Sequence, residues 1–192
     1  MRPYSTLVLA IIALTSFGGP HSFEPPAYGA EAPVAAEKNP PGDIPDSQVF
    51  VTYSSPLGFV IKAPEGWSRR ERSDGVRFAD KYGSVDVSIS AAAGPVTPES
   101  VKAREAPAME QGGHAVKISS ISAVKLPAGS AVLIKYTSNS EANDVTGKKI
   151  RLERDRYLVV ASGKLATIDF SAPAGADNVD QWKLMSESFG WK

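Results

Sequence analysis

The stretch Val49-Phe50-Val51-Thr52-Tyr53-Ser54-Ser55-Pro56-Leu57-Gly58-Phe59-Val60-Ile61 sets the grammar of the chain. Its two apolar runs have a period of two, which sends alternate side chains to opposite faces of a half-buried strand. Ser55-Pro56-Leu57-Gly58 is a turn-forming cluster, so the two runs read as a hairpin. Pro64-Glu65-Gly66-Trp67 then breaks the chain. A second hairpin is expected where Val76-Arg77-Phe78 and Val85-Asp86-Val87-Ser88-Ile89 flank Asp80-Lys81-Tyr82-Gly83, with Val85, Val87 and Ile89 on one side.

Gly94-Pro95-Val96-Thr97-Pro98-Glu99 switches from strand to helix: Thr97 can cap, Pro98 suits the first helical position and Glu99 complements the helix dipole. Pro107 predicts a kinked or two-piece helix ending near Gly112-Gly113. Four further strands are expected over Ala115–Leu126, Ala131–Thr137, Lys149–Val160 and Leu165–Phe170. A closing helix starts at a cap on Asp177, carries Val179, Trp182, Met185 and Phe189 as one apolar stripe, and stops at Gly190. Strands joined by short turns, with helices between and after them, predict an α+β fold with a central antiparallel sheet.

The chain has 192 residues, 42% hydrophobic and 22% charged, with 21 basic and 21 acidic groups and no cysteine. That is one domain with some excess length, too polar for a multi-span membrane protein and without the charge footprint of a nucleic-acid binder. The absence of cysteine excludes disulfides, thiol catalysis, cysteine-ligated metal and a lipid anchor on cysteine. Residues 1–30 differ from the rest, since Arg2 precedes the apolar run Leu7-Val8-Leu9-Ala10-Ile11-Ile12-Ala13-Leu14. The run falls short of the roughly 20 apolar residues of a membrane span and matches a secretory signal peptide, with small residues at Ala27 and Gly29 placing the cut near 29–30. Residues 31–48, with Pro33, Pro40, Pro41 and Pro45, read as a flexible tether, leaving a domain over residues 49–192. From Val49 onward nineteen Lys and Arg face sixteen Asp and Glu, so the domain is slightly basic. The expected product is extracytoplasmic, periplasmic or secreted, soluble, without a lipid anchor and without a membrane span once the signal is removed.

Gly58-Phe59-Val60-Ile61-Lys62-Ala63-Pro64-Glu65-Gly66-Trp67 resembles the opening signature of the PsbP-like family, an aromatic strand running into Pro-x-Gly-Trp. Gly75-Val76-Arg77-Phe78-Ala79-Asp80, Val85–Ile89, Thr97-Pro98-Glu99, Lys164–Pro173 and Ser188-Phe189 are similar to later elements of that family, so the resemblance spans roughly Tyr53 to Phe189. It implies an α/β/α sandwich around a central antiparallel sheet, a role in docking to other proteins and no shared catalytic machinery. The chain departs from the family in lacking both the lipoprotein cysteine of cyanobacterial members and a plastid transit peptide. No metal ligand carries over, because His114 is the one histidine left after processing.

No nucleophile elbow, phosphate loop, dinucleotide fingerprint or zinc helix is present, so no catalytic residue, metal or cofactor is assigned. His114 reads as a solvated loop residue, Asp74, Asp80, Asp177 and Asp180 as turn and cap residues, and Trp67 and Trp182 as core. The most unusual feature is Lys148-Lys149-Ile150-Arg151-Leu152-Glu153-Arg154-Asp155-Arg156, by default an edge-protecting strand face. The sharper reading joins Lys149, Arg151, Arg154 and Arg156 to Arg69, Arg70 and Arg72, read as a turn, in a basic patch for another protein or an anionic envelope component. Trp191, beyond Gly190, is a second candidate contact. The function expected is an exported binding or accessory module. The alternatives are a small-ligand carrier or enzyme with a pocket between sheet and helix, and a photosystem II accessory protein. N-terminal sequencing of the exported protein is expected to begin near residue 30, and recovery of intact Met1 in a membrane fraction would overturn the cleavage reading.

Overall fold

The computed structural model describes residues 31–192, so the signal-peptide assignment lies outside the described residues. In chain order the elements are β1 (Phe50–Ser55), β2 (Phe59–Pro64), β3 (Ser68–Arg72), β4 (Gly75–Ala79), β5 (Ser84–Ala91), α1 (Pro98–Ala103), α2 (Glu105–Gly112), β6 (Lys117–Leu126), β7 (Gly129–Asn139), β8 (Arg151–Ala161), β9 (Lys164–Pro173), α3 (Val179–Glu187) and β10 (Gly190–Trp191). Seven strands form one antiparallel sheet in the order β3-β4-β5-β9-β8-β7-β6, and β1-β2-β10 form a separate three-stranded sheet. The fold is α+β, as the strand and helix periods require.

The two faces of the large sheet are buried differently. On one side Val76, Phe78, Val85, Val87, Leu133, Tyr157, Val159, Ile168 and Phe170 pack against Phe59 and Ile61 of β2 and Trp182, Met185 and Phe189 of the C-terminal segment. Aromatic rings tie these layers together: Phe170 stacks on Trp182 at 5.8 Å, and Phe59 on Phe189 at 5.8 Å. On the other side a smaller cluster, Val101 with Val132, Ile134, Tyr136 and Leu158, seats α1 and α2 on β7 and β8. The helix pair thus covers one end of its face, and among the described residues no helix covers β3, β4 and β5.

Several elements differ from the sequence reading. Arg69-Arg70-Glu71-Arg72 is a strand, β3, paired with β4, with all its residues exposed. It has no apolar alternation because neither of its faces is buried. Its return turn depends on Gly75, where an added Cβ would lie 1.9 Å from the Val87 carbonyl oxygen. The helix break falls at Arg104, and Pro107 sits in the first turn of α2, where its missing N–H has no intrahelical partner to lose. Thr97 and Ser100 close a capping box on α1. Asn178, not Asp177, is the cap position of α3, and Val179 at its start is 66% exposed, so the apolar stripe begins at Trp182. Gly190 opens β10 instead of stopping a helix. Trp191 is held there opposite Phe59, edge-on to Phe189 at 5.3 Å, and belongs to the core margin instead of standing free for a partner.

The proline-rich segment 31–48 lies along the domain as a strap, in place of the flexible tether expected from its composition. Ile44 is buried, its N–H donates to Asn178 Oδ1 at 2.7 Å, and Asn178 Nδ2 donates to the Gly42 carbonyl at 3.0 Å. Asp43 Oδ1 accepts from the Asp177 N–H at 2.8 Å. Composition undervalues such a segment because hydrogen bonds, not apolar area, hold most of it. Asn178→Ala leaves the buried Ile44 N–H without its acceptor, and a loss of about 1–3 kcal/mol is expected in urea unfolding, with faster proteolysis before Ile44; an unchanged urea midpoint would show the strap to be peripheral.

Candidate functional site

Antiparallel register places residues directly opposite one another on the same face of a sheet. Following it across the large sheet gives Arg70 opposite Arg77, Arg77 opposite Asp86, Asp86 opposite Asp169 and Asp169 opposite Arg156. This row crosses five strands, about 19 Å at ~4.8 Å per strand. Its side chains point away from the main core. Arg72 joins the same face and bridges to Asp86 at 2.7 Å and Asp74 at 3.2 Å, while Arg77 bonds the other oxygen of Asp86. Five guanidiniums, those of Arg70, Arg72, Arg77, Arg154 and Arg156, therefore share this face with the two strand carboxylates Asp86 and Asp169.

At the β8 end the charges are drawn inward. Asp169 is buried, and its oxygens accept from Arg154 Nε at 3.0 Å, Arg156 Nε at 2.6 Å and the Tyr136 hydroxyl at 2.6 Å. Both guanidiniums also lie over the Tyr136 ring, 5.5 and 5.4 Å from its centroid. Burial, aided by the Asp169 charge, pushes the Tyr136 phenol well above its usual range. Burial opposes the Arg156 charge, but Asp169 and Tyr136 more than offset it and hold that guanidinium above its ordinary value.

Between this floor and α2 opens a cleft of about 320 Å³. Tyr136, Ser138, Arg154 and Arg156 form its base, Met109 and Val116 part of its apolar wall, and Gly112, Gly113 and His114 part of its rim. At the rim the start of the strap is pinned. His114 Nδ1 lies 2.7 Å from Glu31 Oε2 and its Nε2 lies 2.8 Å from Glu141 Oε1. Asn139 donates to Glu31 Oε1 at 2.6 Å and accepts from the Val34 N–H at 3.0 Å, and Lys149 reaches Glu31 at 2.9 Å. Hydrogen bonds from Asn139, Lys149 and His114 hold the Glu31 carboxyl down to about 2. The Glu31 contact, reinforced by Glu141, raises His114.

The structure divides the residues expected to make one basic patch. Arg70, Arg72, Arg154 and Arg156 share a face, linked through Arg77 and Asp86, which the sequence reading did not include. Arg69 points the other way, over the Tyr53 ring at 5.5 Å. Arg151 is buried, donating to the Ala115 carbonyl at 2.8 Å, to Asn139 Oδ1 at 3.0 Å and to the Thr137 hydroxyl, so it braces the sheet end. Lys149 is engaged by the strap. The Tyr136–Asp169 floor was missed because each residue occupies an ordinary alternate strand position, and only the β9–β8–β7 register shows that they meet.

The architecture is PsbP-like. The solution structure of cyanobacterial PsbP (CyanoP) from Synechocystis sp. PCC 6803 superposes with a TM-score of 0.55 at 19% identity, covering 79% of this chain and 98% of that one. A crystal structure from Bacteroides thetaiotaomicron gives a TM-score of 0.50 at 12% identity over 73% of this chain and 48% of that one. At these identities the likeness establishes the fold. No protein-family model and no curated protein matches the sequence.

With both ring nitrogens facing carboxylate oxygens, His114 donates to both only as imidazolium. A raised folded pKa means that its contribution to the latch is complete below the ordinary value of 6.5 and disappears as pH climbs through the raised one. Glu31 contributes above its ordinary 4.5, and that contribution is lost as pH falls toward about 2. The latch is therefore tightest between about 4.5 and 6.5. An NMR titration of the His114 ring is expected to show a midpoint above 6.5 that moves down in Glu31→Gln; equal midpoints in the two proteins would dismiss the contact.

Proposed function

We propose that the protein is an extracytoplasmic, non-enzymatic accessory module that docks onto an acidic surface of another protein through the arginine-rich face of its large sheet. The observation that carries this reading is the cross-strand row. Five guanidiniums share a face with two strand carboxylates, and Arg70, Arg72 and Arg77 are exposed to solvent beyond the helix pair. Such a face has a net positive field that speeds encounter with an acidic partner, while the fixed, partly exposed Asp86 imposes register on the contact.

A protein partner fits better than a lipid surface. The large apolar side chains that stand exposed among the described residues, Val49, Val51, Tyr82, Val145, Val179 and Leu184, all lie outside the five strands of this face. Stable attachment to a bilayer uses apolar insertion together with charge, and carboxylates within the patch oppose an anionic membrane. No helix among the described residues is long and apolar enough to cross a membrane. The PsbP-like architecture supports an accessory role.

Affinity capture from the native envelope fraction tests the reading. Arg70→Glu combined with Arg77→Gln is expected to lower capture of the partner by about tenfold, equivalent to about 1.4 kcal/mol, and raised salt to do the same to the wild type. Lys117→Glu with Lys125→Glu, on strand β6 at the opposite sheet edge, is expected to leave capture intact. Equal losses from both pairs would reduce the effect to bulk charge, and retention by the arginine variant would discard the docking face. Binding to anionic vesicles in place of a protein would replace the partner class.

A further inference from the structure

The cleft beneath α2 contains a group that the fold itself does not satisfy. Ser138 is 3% exposed, and its hydroxyl has no hydrogen-bond partner among the described residues. It follows Tyr136 on the same face of β7 and lines the cleft beside Arg154 and Arg156. A buried hydroxyl without a partner costs about 1–3 kcal/mol, so a polar atom placed against it in the cleft recovers that loss.

The remaining lining defines the ligand. Two guanidiniums share the single carboxylate of Asp169, which leaves one net positive charge at the floor. Met109 and Val116 make the wall apolar. The C-terminal end of α2, at Gly112, meets the rim, and its carbonyls disfavour a second negative charge. The volume, about 320 Å³, is at the small end of ligand sites and equals the space of about ten waters.

We infer that this cleft is a binding site for a small monoanionic carboxylate with an apolar body, its oxygens on Arg154, Arg156 and the Ser138 hydroxyl and its body against Met109 and Val116. This site is distinct in use from the docking face, although Arg154 and Arg156 belong to both. It requires no protein partner.

Hexanoate is a suitable probe, followed by amide NMR shifts of the purified protein, with hexanamide as the neutral match and inorganic phosphate as the dianion-forming competitor. Hexanoate is expected to shift Gly112, Gly113, Tyr136 and Ser138 saturably, and hexanamide is not. Gly112 has open space around the position of a Cβ and needs no left-handed backbone, so Gly112→Glu places a carboxylate at the rim without disturbing the fold. It is expected to weaken hexanoate by about tenfold or more. Ser138→Ala is expected to weaken hexanoate while leaving the thermal midpoint unchanged or raised, the opposite of what a purely structural serine would do. No saturable shift with hexanoate, equal shifts with hexanamide, tighter binding of phosphate, or full affinity in Gly112→Glu would each overturn the assignment. None of these readouts involves the docking partner, so failure here leaves the docking face untouched, and the converse also holds.

Discussion

A strand buried on both sides cannot let its polar residues reach water, and β9 is such a strand. Ile168 and Phe170 enter the main core fully buried, and the alternation puts Asp169 between them into the opposite face. A carboxylate in that position must find positive charge or hydrogen-bond donors, or it destabilises the sheet. Arg154, Arg156 and Tyr136 meet that requirement from β8 and β7. The rest of the helix-side face is built around that pairing: both guanidiniums lie over the Tyr136 ring, and the cleft lined by Met109 and Gly112 of α2 opens above them.

The same constraint explains why the two faces differ in character. Where α1 lies on Val132, Ile134 and Leu158, the face is apolar and closed. Over β3, β4 and β5, where no helix of the described residues lies, it is covered by side chains that tolerate water, with Arg77 and Arg72 converging on Asp86. The charged strand β3 also protects the sheet edge, since a row of arginines on an exposed strand discourages pairing with another chain. One set of residues thus serves solubility at the edge and recognition on the face.

Much of the fold was legible in local patterns. Both hairpins, the capped start of α1 and the aromatic stripe from Trp182 follow from period and turn chemistry, which operate within a dozen residues. β3 was not legible, because an edge strand exposed on both faces has no hydrophobic alternation to read. The site was legible only in part. Arg154 and Arg156 stood out by charge density, but their counterion Asp169 lies on the next strand, and Arg77 and Asp86 join them through the β5–β9 pairing, which no local rule specifies. Arg151 looked equivalent to its neighbours, yet its place at the strand end beside Asn139 buries it. The strap escaped notice because Asn139 and Asn178, far away in sequence, supply what its own composition lacks.

Those two asparagines have a kinetic consequence. Asn139 reaches back 105 positions to Val34, and Asn178 reaches back 134 to Ile44, so the first described segment finds its place only when the last helix has been made and set down. Contacts of such sequence separation close late and slowly, since the intervening chain must be ordered before they form. A nascent chain therefore keeps this segment open until nearly all of the domain has emerged. The strap then closes over a finished domain, a final step that separates complete molecules from truncated ones.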